Sequence, residues 1–270
     1  MFRYYMCPSA YSKTSCLEIE VNMKELNHVL TEHSDEYDSF HYDMSLFDVL
    51  TAGDTRFADV IWGNLIDQQF SKTVLPQLMN KLTVLNRSYK DKADFDSEFN
   101  DTQNALWGVR FNTDEQYHIS NAEKYKAFRA ESLKVIMCKE NFKELRPLLC
   151  PNLLFTDEAI DRITTGSDKI FSQMIDRLVD LDKYASSWKH SKGPFSVGDL
   201  NSTTSLRVSD ESDTVKNNDK KRMERYFILP GIGGRYCYLH IKTGDYRFHF
   251  YADEDSHKVY VAYIGPHLTL

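Results

Sequence analysis

Apolar and polar positions follow two different periods along this chain, and the change of period falls near residue 150. From Phe57 to Leu85 apolar residues recur at helical spacing: Val60, Ile61, Leu65, Ile66 and Phe70, then Val74, Leu75, Leu78, Met79 and Leu82. Pro76 should start or kink the second part of that stretch. Asn121–Phe142 reads as a further amphipathic helix, and Met23–His33 as a short one following a strand at Leu17–Val21. Asp91–Gln103 is polar and reads as a loop, with a short strand at Trp107–Phe111. Residues 1–150 are therefore expected to form a mostly helical domain.

Residues 151–270 have another grammar. Asn152–Phe155 is a short apolar run, read as a strand, and Thr156 is placed to cap a helix whose first turn holds Asp157 and Glu158. Gly166 breaks the pattern, and Ser167 can cap a second helix with Ile170, Phe171, Met174, Ile175, Leu178 and Leu181 on one stripe. Residues 189–224 are rich in Ser, Thr, Asp, Asn and Lys without a sustained period, and read as a long flexible loop. Three β-like segments follow: Arg225–Lys242, interrupted at Pro230–Gly234, then Tyr246–Ala252 and Lys258–Ile264. Thr243–Asp245 and Asp253–His257 supply turn chemistry between them. The order β-α-α-β-β-β predicts an α+β fold in which a twisted antiparallel sheet packs on a helical hairpin.

Strand alternation sorts the side chains of that sheet. Cys237, Leu239 and Ile241 share one face with Phe248, Phe250, Val259, Val261 and Tyr263, which can cover the hairpin. The opposite face collects Tyr238, His240, Lys242, Arg247, His249, Tyr251, Lys258 and Tyr260, with Arg235 just upstream and His267 in the tail.

Composition sharpens this only in part. Hydrophobic residues at 41% and charged residues at 27% are those of an ordinary globular chain. No apolar run is long enough to span a bilayer. Five scattered cysteines without a CxxC pair suit a reduced, cytoplasmic protein. A formal charge of −7 argues against a protein that coats nucleic acid. The acidity is uneven, however. Residues 1–150 carry 17 Lys+Arg against 23 Asp+Glu, and residues 151–270 carry 16 against 17. A focused RNA site in the second half stays compatible with that balance. No HExxH, GxSxG or P-loop occurs, Gly231–Gly234 lacks the helix a phosphate loop needs, and His28 and His33 are five apart.

The segment LLFTDEAIDRITTGSDKIFSQMIDRLVDL followed by GGRYCYLHIKTGDYRFHFYADEDSHKVYVAYIGPHL resembles the RelE/ParE superfamily of bacterial toxins. It looks like that family's first strand, helical hairpin and sheet, with the paired-strand pattern K-x-x-x-Y-R at Lys242–Arg247. The resemblance covers about 120 residues, Pro151–Leu270. It implies a RelE-like endoribonuclease that cuts mRNA without a metal or cofactor, on the ribosome or free, in a toxin–antitoxin or antiphage-defence setting. It further implies Lys242 and Arg247 as phosphate and transition-state groups, and His267 at an acid/base position.

The residues themselves suit that chemistry. RNA cleavage needs a base for the 2′-hydroxyl, a cation for the pentacovalent phosphorane and an acid for the leaving 5′-oxygen. His240, His249 and His267 can carry protons, Lys242 and Arg247 can clamp phosphate, and Tyr238, Tyr251 and Tyr260, with Lys258 and Arg235, can bind RNA. Two other readings use the same chain. One is a binding module on the same scaffold without catalysis, either a topoisomerase poison or a sensor of a phage protein. In the other, residues 1–150 hold the activity. Under the cleavage reading residues 1–150 regulate the nuclease, recognise a partner or occlude its active face as a built-in inhibitor, and an antitoxin or phage protein is the partner class considered.

Overall fold

The computed structural model describes residues 1–111, 115–191 and 193–269. Helix and strand are both abundant, and one sheet is parallel while the main sheet of the second unit is mixed, consistent with the α+β class read from the sequence. The chain divides into two units, Met1–Ser132 and Leu133–Leu270. The division falls inside a helix, Ala122–Ile136, and not near residue 150.

The first unit departs from the mostly helical domain expected there. It is built on five parallel strands: β1 (Phe2–Met6), β2 (Asp38–Asp43), β3 (Thr83–Leu85), β4 (Gln103–Trp107) and β5 (His118–Ile119). Their order in the sheet is β3-β2-β1-β4-β5. From β1 the chain winds to one side and then returns to wind to the other, so the order reverses between β1 and β4. Helices α1 (Cys16–Glu32), α2 (Phe57–Trp62), α3 (Leu75–Lys81) and α4 (Lys92–Glu98) lie in the connections between them, and α5 (Ala122–Ile136) follows the last strand. The segment read as a strand at Leu17–Val21 lies inside α1, whose start is fixed by a capping box between Ser15 and Glu18. Asp91 caps α4 in the stretch read as a loop.

A buried polar hub locks this unit. Asn22 on α1 accepts from Tyr11 Oη at 2.8 Å and Trp107 Nε1 at 3.0 Å, and donates to the carbonyls of Gly108 and Ser120, each at 3.2 Å. Every hydrogen-bonding position of the amide is used, so one side chain ties α1 to the ends of β1, β4 and β5.

The second unit opens with α6 (Lys139–Leu149), β6 (Leu153–Phe155), α7 (Asp157–Thr165) and α8 (Asp168–Ser191). Thr156 caps α7 as expected, accepting from Ala159 N, and its hydroxyl also donates to the Ala262 carbonyl at 2.6 Å. The stretch read as a flexible loop is structured. It contains α9 (Val197–Thr203), β7 (Val208–Ser209), α10 (Asp213–Lys216) and α11 (Asp219–Met223), and only Lys192 of that stretch lies outside the described residues. Ser196, Ser212 and Asn218 cap these short helices, so the polar composition serves local capping.

A hairpin of β8 (Tyr226–Leu229) and β9 (Gly233–Tyr236) follows, then β10 (Leu239–Thr243), β11 (Tyr246–Asp253) and β12 (Lys258–Pro266). The main sheet runs β6-β12-β11-β10-β7, with β6 parallel to β12 and the other pairs antiparallel. Phe248, Phe250, Val259, Val261 and Ile264 are fully buried, and α7 packs against β12.

Candidate functional site

The pairing of β10 with β11 creates the site. His240 stands opposite His249, and Lys242 opposite Arg247. Side chains directly opposite in an antiparallel pair share a face, so four of the five expected catalytic residues lie on one face of one strand pair. The rings of His240 and His249 are 5.2 Å apart, and His267 approaches His240 at 6.4 Å.

The pairing with β12 is less regular. His249 pairs with Tyr263 but Phe250 pairs with Val261, which leaves Ala262 as an extra residue. This bulge transfers Tyr263 from the hairpin-facing side, where alternation put it, to the histidine face, 5.9 Å from the His249 ring. It also explains a second difference. Cys237, Tyr260 and Ala262 form a buried cluster with Leu229, and Tyr251, Phe227 and Leu154 pack against it. Tyr260, only 3% exposed, is thus a packing residue under the β8–β9 hairpin, not a platform for a base. Tyr251 sits beside it in the same role.

Two groups that the sequence reading missed complete the face. Ser209 on β7 pairs with His240, and two residues later the chain delivers Glu211 above the same ring. Glu211 Oε1 lies 3.9 Å from His240 Nδ1 and accepts from Arg225 Nε at 3.0 Å. Arg225 is fully buried, the Cys237 amide donates to its carbonyl, and its Nη2 has no partner. Glu211 falls where the sequence shows only polar composition, and Arg225 at the very start of a β-like segment, so no periodic signal marked either.

Burial sets the protonation of the two central histidines. His249 is 1% exposed and its Nδ1 donates to the Cys237 carbonyl at 3.0 Å, which leaves Nε2 as the lone-pair nitrogen, buried and without a partner. Desolvation pushes its pKa down to about 3, with His240, Arg225 and His267 adding to the effect. Desolvation also lowers His240, against the opposing pull of Glu211. Its Nε2 faces the Ser209 hydroxyl at 3.0 Å. Both rings are held neutral, beside a buried guanidinium.

The remaining expected residues are placed differently. Lys242 is exposed at the end of β10. Arg247 is turned onto its own hairpin, donating to the carbonyls of Gly244 and Tyr246 at 2.8 Å each, with its Nε buried and unpartnered. His267 is exposed, its Nδ1 donating to the Leu268 carbonyl at 2.6 Å. Lys258 and Arg235 are exposed. Tyr238 is half-buried and stacks on Tyr236 at 5.6 Å, which meets Tyr226 at 5.1 Å. Lys216 lies 5.2 Å over Tyr238 and Arg222 5.5 Å over Tyr236. This run of tyrosines and cations is the accessible aromatic surface of the hairpin, and Tyr226 and Tyr236 belong to it although neither was singled out.

Glu211, His240 and His249 also offer three ligand atoms within 4.8 Å of one another, which is a metal-like spacing. The chemistry of the set fits a cation poorly. Arg225 already neutralises the Glu211 carboxylate, and a divalent ion would enter beside that fixed positive charge. The partnerless nitrogens of Arg225 and Arg247 are donors and suit an anion. Among the described residues no helix is long and apolar enough to cross a membrane. In comparisons with known proteins, the chain matches no family model, no curated protein and no solved structure.

Proposed function

We propose that the second unit is a RelE-like endoribonuclease that cleaves mRNA by metal-independent acid–base chemistry, acting in a toxin–antitoxin or phage-defence setting in the cytoplasm. The observation that carries this reading is the register of β10 with β11, which sets His240 against His249 and Lys242 against Arg247 on one face. The succession β6, α7, α8 and then β10, β11 and β12, with β6 parallel to β12, supports it, although α9, β7, α10, α11 and the β8–β9 hairpin are added to the expected β-α-α-β-β-β order.

In this reading His240, its ring held by the Tyr238 carbonyl and the Ser209 hydroxyl with the Glu211 carboxylate 3.9 Å from Nδ1, takes the 2′-hydroxyl proton as the 2′-oxygen attacks phosphorus, and His267 delivers a proton to the departing 5′-oxygen. Lys242, with Arg247 once released from its hairpin carbonyls, offsets the charge of the phosphorane, while the buried Arg225 stays paired with Glu211 behind the histidines. The tyrosines at 226, 236 and 238 stack on unpaired bases of the RNA, which the ribosome or another partner presents.

A second reading, a binding module without catalysis on the same scaffold, is favoured by one specific observation. The Arg247 guanidinium is committed to the carbonyls of Gly244 and Tyr246, not aimed at the histidines. Induced expression separates the two. Primer extension on total RNA should give discrete new 5′ ends for the wild type and none for His240→Ala or His249→Ala, while Arg247→Ala retains the fold and loses growth inhibition. An intact RNA profile alongside full toxicity ends the nuclease reading and favours the binding module.

A further inference from the structure

The doubly wound sheet of the first unit has a cleft of about 540 Å³ where its strand order reverses, at the carboxyl ends of β1 and β4. Such reversal points open a crevice because the connections leave the sheet in opposite directions, and the volume is that of a small-molecule site. We propose that this cleft binds a free nucleotide, with its phosphates on Lys90 and Arg110 and its base against Phe111 and Tyr117. The inference is independent of the chemistry assigned to the second unit.

The walls are preformed. Gly108, directly after β4, is so close to the β1 loop that an added Cβ would come within 2.3 Å of Ala10 Cβ. The Arg110 amide donates to the Ala10 carbonyl at 2.9 Å, which fixes the backbone that carries the Arg110 side chain. On the opposite wall, Tyr89 N donates to Tyr5 Oη at 3.1 Å and Ser88 Oγ donates to Asp43 at 2.7 Å, fixing the backbone next to Lys90.

The charges select an anion. Asp91 is engaged as the cap of α4, accepting from Asp94 N at 2.9 Å, and Asp96 is paired with Lys92 at 2.5 Å. Asp94 and Glu18 interact with Lys90 and Arg110 through space, but among the described residues no carboxylate forms an ion pair with either cation, and Lys90, Lys92 and Arg110 outnumber Asp91 and Asp96 in the lining. Lys90 and Arg110 must hold the phosphate themselves. The loop from β1 to α1 has no glycine, and the first turn of α1 is occupied by the Glu18 side chain of its capping box, so the helix N-terminus offers no seat.

The flat part of the ligand has its own surface. Phe111 stacks on His118 with centroids 4.0 Å apart, and Tyr117 lies beneath Lys92 at 4.4 Å. A half-buried aromatic pair beside two exposed cations is the arrangement that takes a base at one end and a phosphate at the other.

The test is isothermal titration of the full-length protein with adenosine and guanosine mono-, di- and triphosphates, with inorganic phosphate and adenosine as fragments. At least one nucleotide should bind with 1:1 stoichiometry and at least tenfold more tightly than either fragment. Lys90→Ala/Arg110→Ala should weaken it at least tenfold while the unliganded melting temperature stays put, because both side chains are exposed. Phe111→Ala should weaken it as well, and His240→Ala should leave it unchanged. No binding by any nucleotide, binding untouched by the double variant, or binding lost in His240→Ala would each overturn the assignment.

Discussion

His249 lies directly across the strand pair from His240, with the two rings 5.2 Å apart and the His249 side chain sealed from water. Its pKa, pushed down to about 3 by desolvation, makes stability depend on pH in a defined direction. The unfolded chain protonates this ring below its ordinary value near 6.5, while the folded protein resists down to about 3. Stability is therefore complete above pH 6.5 and is lost as pH falls through that window. Each pH unit removes about 1.4 kcal/mol per such histidine. His41, lowered to about 4 by burial and Arg3, adds to the same loss in the first unit. Urea midpoints measured at pH 7.5 and pH 5 should differ accordingly, and His249→Phe should reduce the slope. A flat profile would show that His249 is hydrated and not buried.

The Arg225–Glu211 pair can be separated by a double-mutant cycle. Both side chains are buried, at 0% and 5% exposure, so removing one strands the other's charge. Arg225→Ala should cost about 3–5 kcal/mol, with a reduced urea midpoint. Arg225→Met/Glu211→Leu, which removes both charges and keeps volume, should recover most of that loss. In the cleavage reading the double variant stays inactive, because the imidazolium formed on His240 has lost the carboxylate 3.9 Å from it. A stable Arg225→Ala variant would mean that Glu211 reaches solvent.

How far the sequence reveals this arrangement depends on the period each element obeys. The three strands of the second unit alternate, and Lys242 and Arg247 sit where alternation puts them. Tyr263 breaks the rule only because an extra residue enters β12 at Ala262, and a bulge leaves no mark in a two-residue period. In the first unit the signal is absent for another reason. β1, FRYYM, is a central parallel strand with nearly every residue buried, so it has no polar face to alternate with. β3 and β5 have three and two residues, too few to show any period. The Glu211–Arg225 contact joins two short capped segments 14 residues apart, and only the tertiary fold brings them together.

The Asn22 hub predicts an unusually large effect for a polar substitution. Asn22→Ala removes the partner of four groups, Tyr11 Oη, Trp107 Nε1 and the carbonyls of Gly108 and Ser120. At about 1 kcal/mol or more for each buried group left unpaired, a loss of about 3–4 kcal/mol is expected. Asn22→Asp keeps the two acceptor contacts, loses both donor contacts and buries a carboxylate against two carbonyl oxygens, so it should cost at least as much as Asn22→Ala. Thermal melts of the three proteins give the order directly. A loss below about 1 kcal/mol for Asn22→Ala would indicate that water replaces the amide.

The last prediction concerns metal. Glu211, His240 and His249 have the spacing of a three-ligand site, and the lone pair on His249 Nε2 is available to an ion. Arg225 opposes it, because its guanidinium is hydrogen-bonded to the carboxylate that would have to ligate. Cation binding would thus have to break a buried ion pair and then sit beside the charge it displaced. Zinc or manganese should accordingly leave the melting temperature of the wild-type protein unchanged, and in the cleavage reading EDTA should leave RNA cleavage intact. Arg225→Gln, which removes the charge and keeps a donor, should allow zinc to raise the melting temperature. A rise in the wild type, or cleavage abolished by EDTA and restored by one metal, would reassign the three side chains from proton transfer to metal ligation.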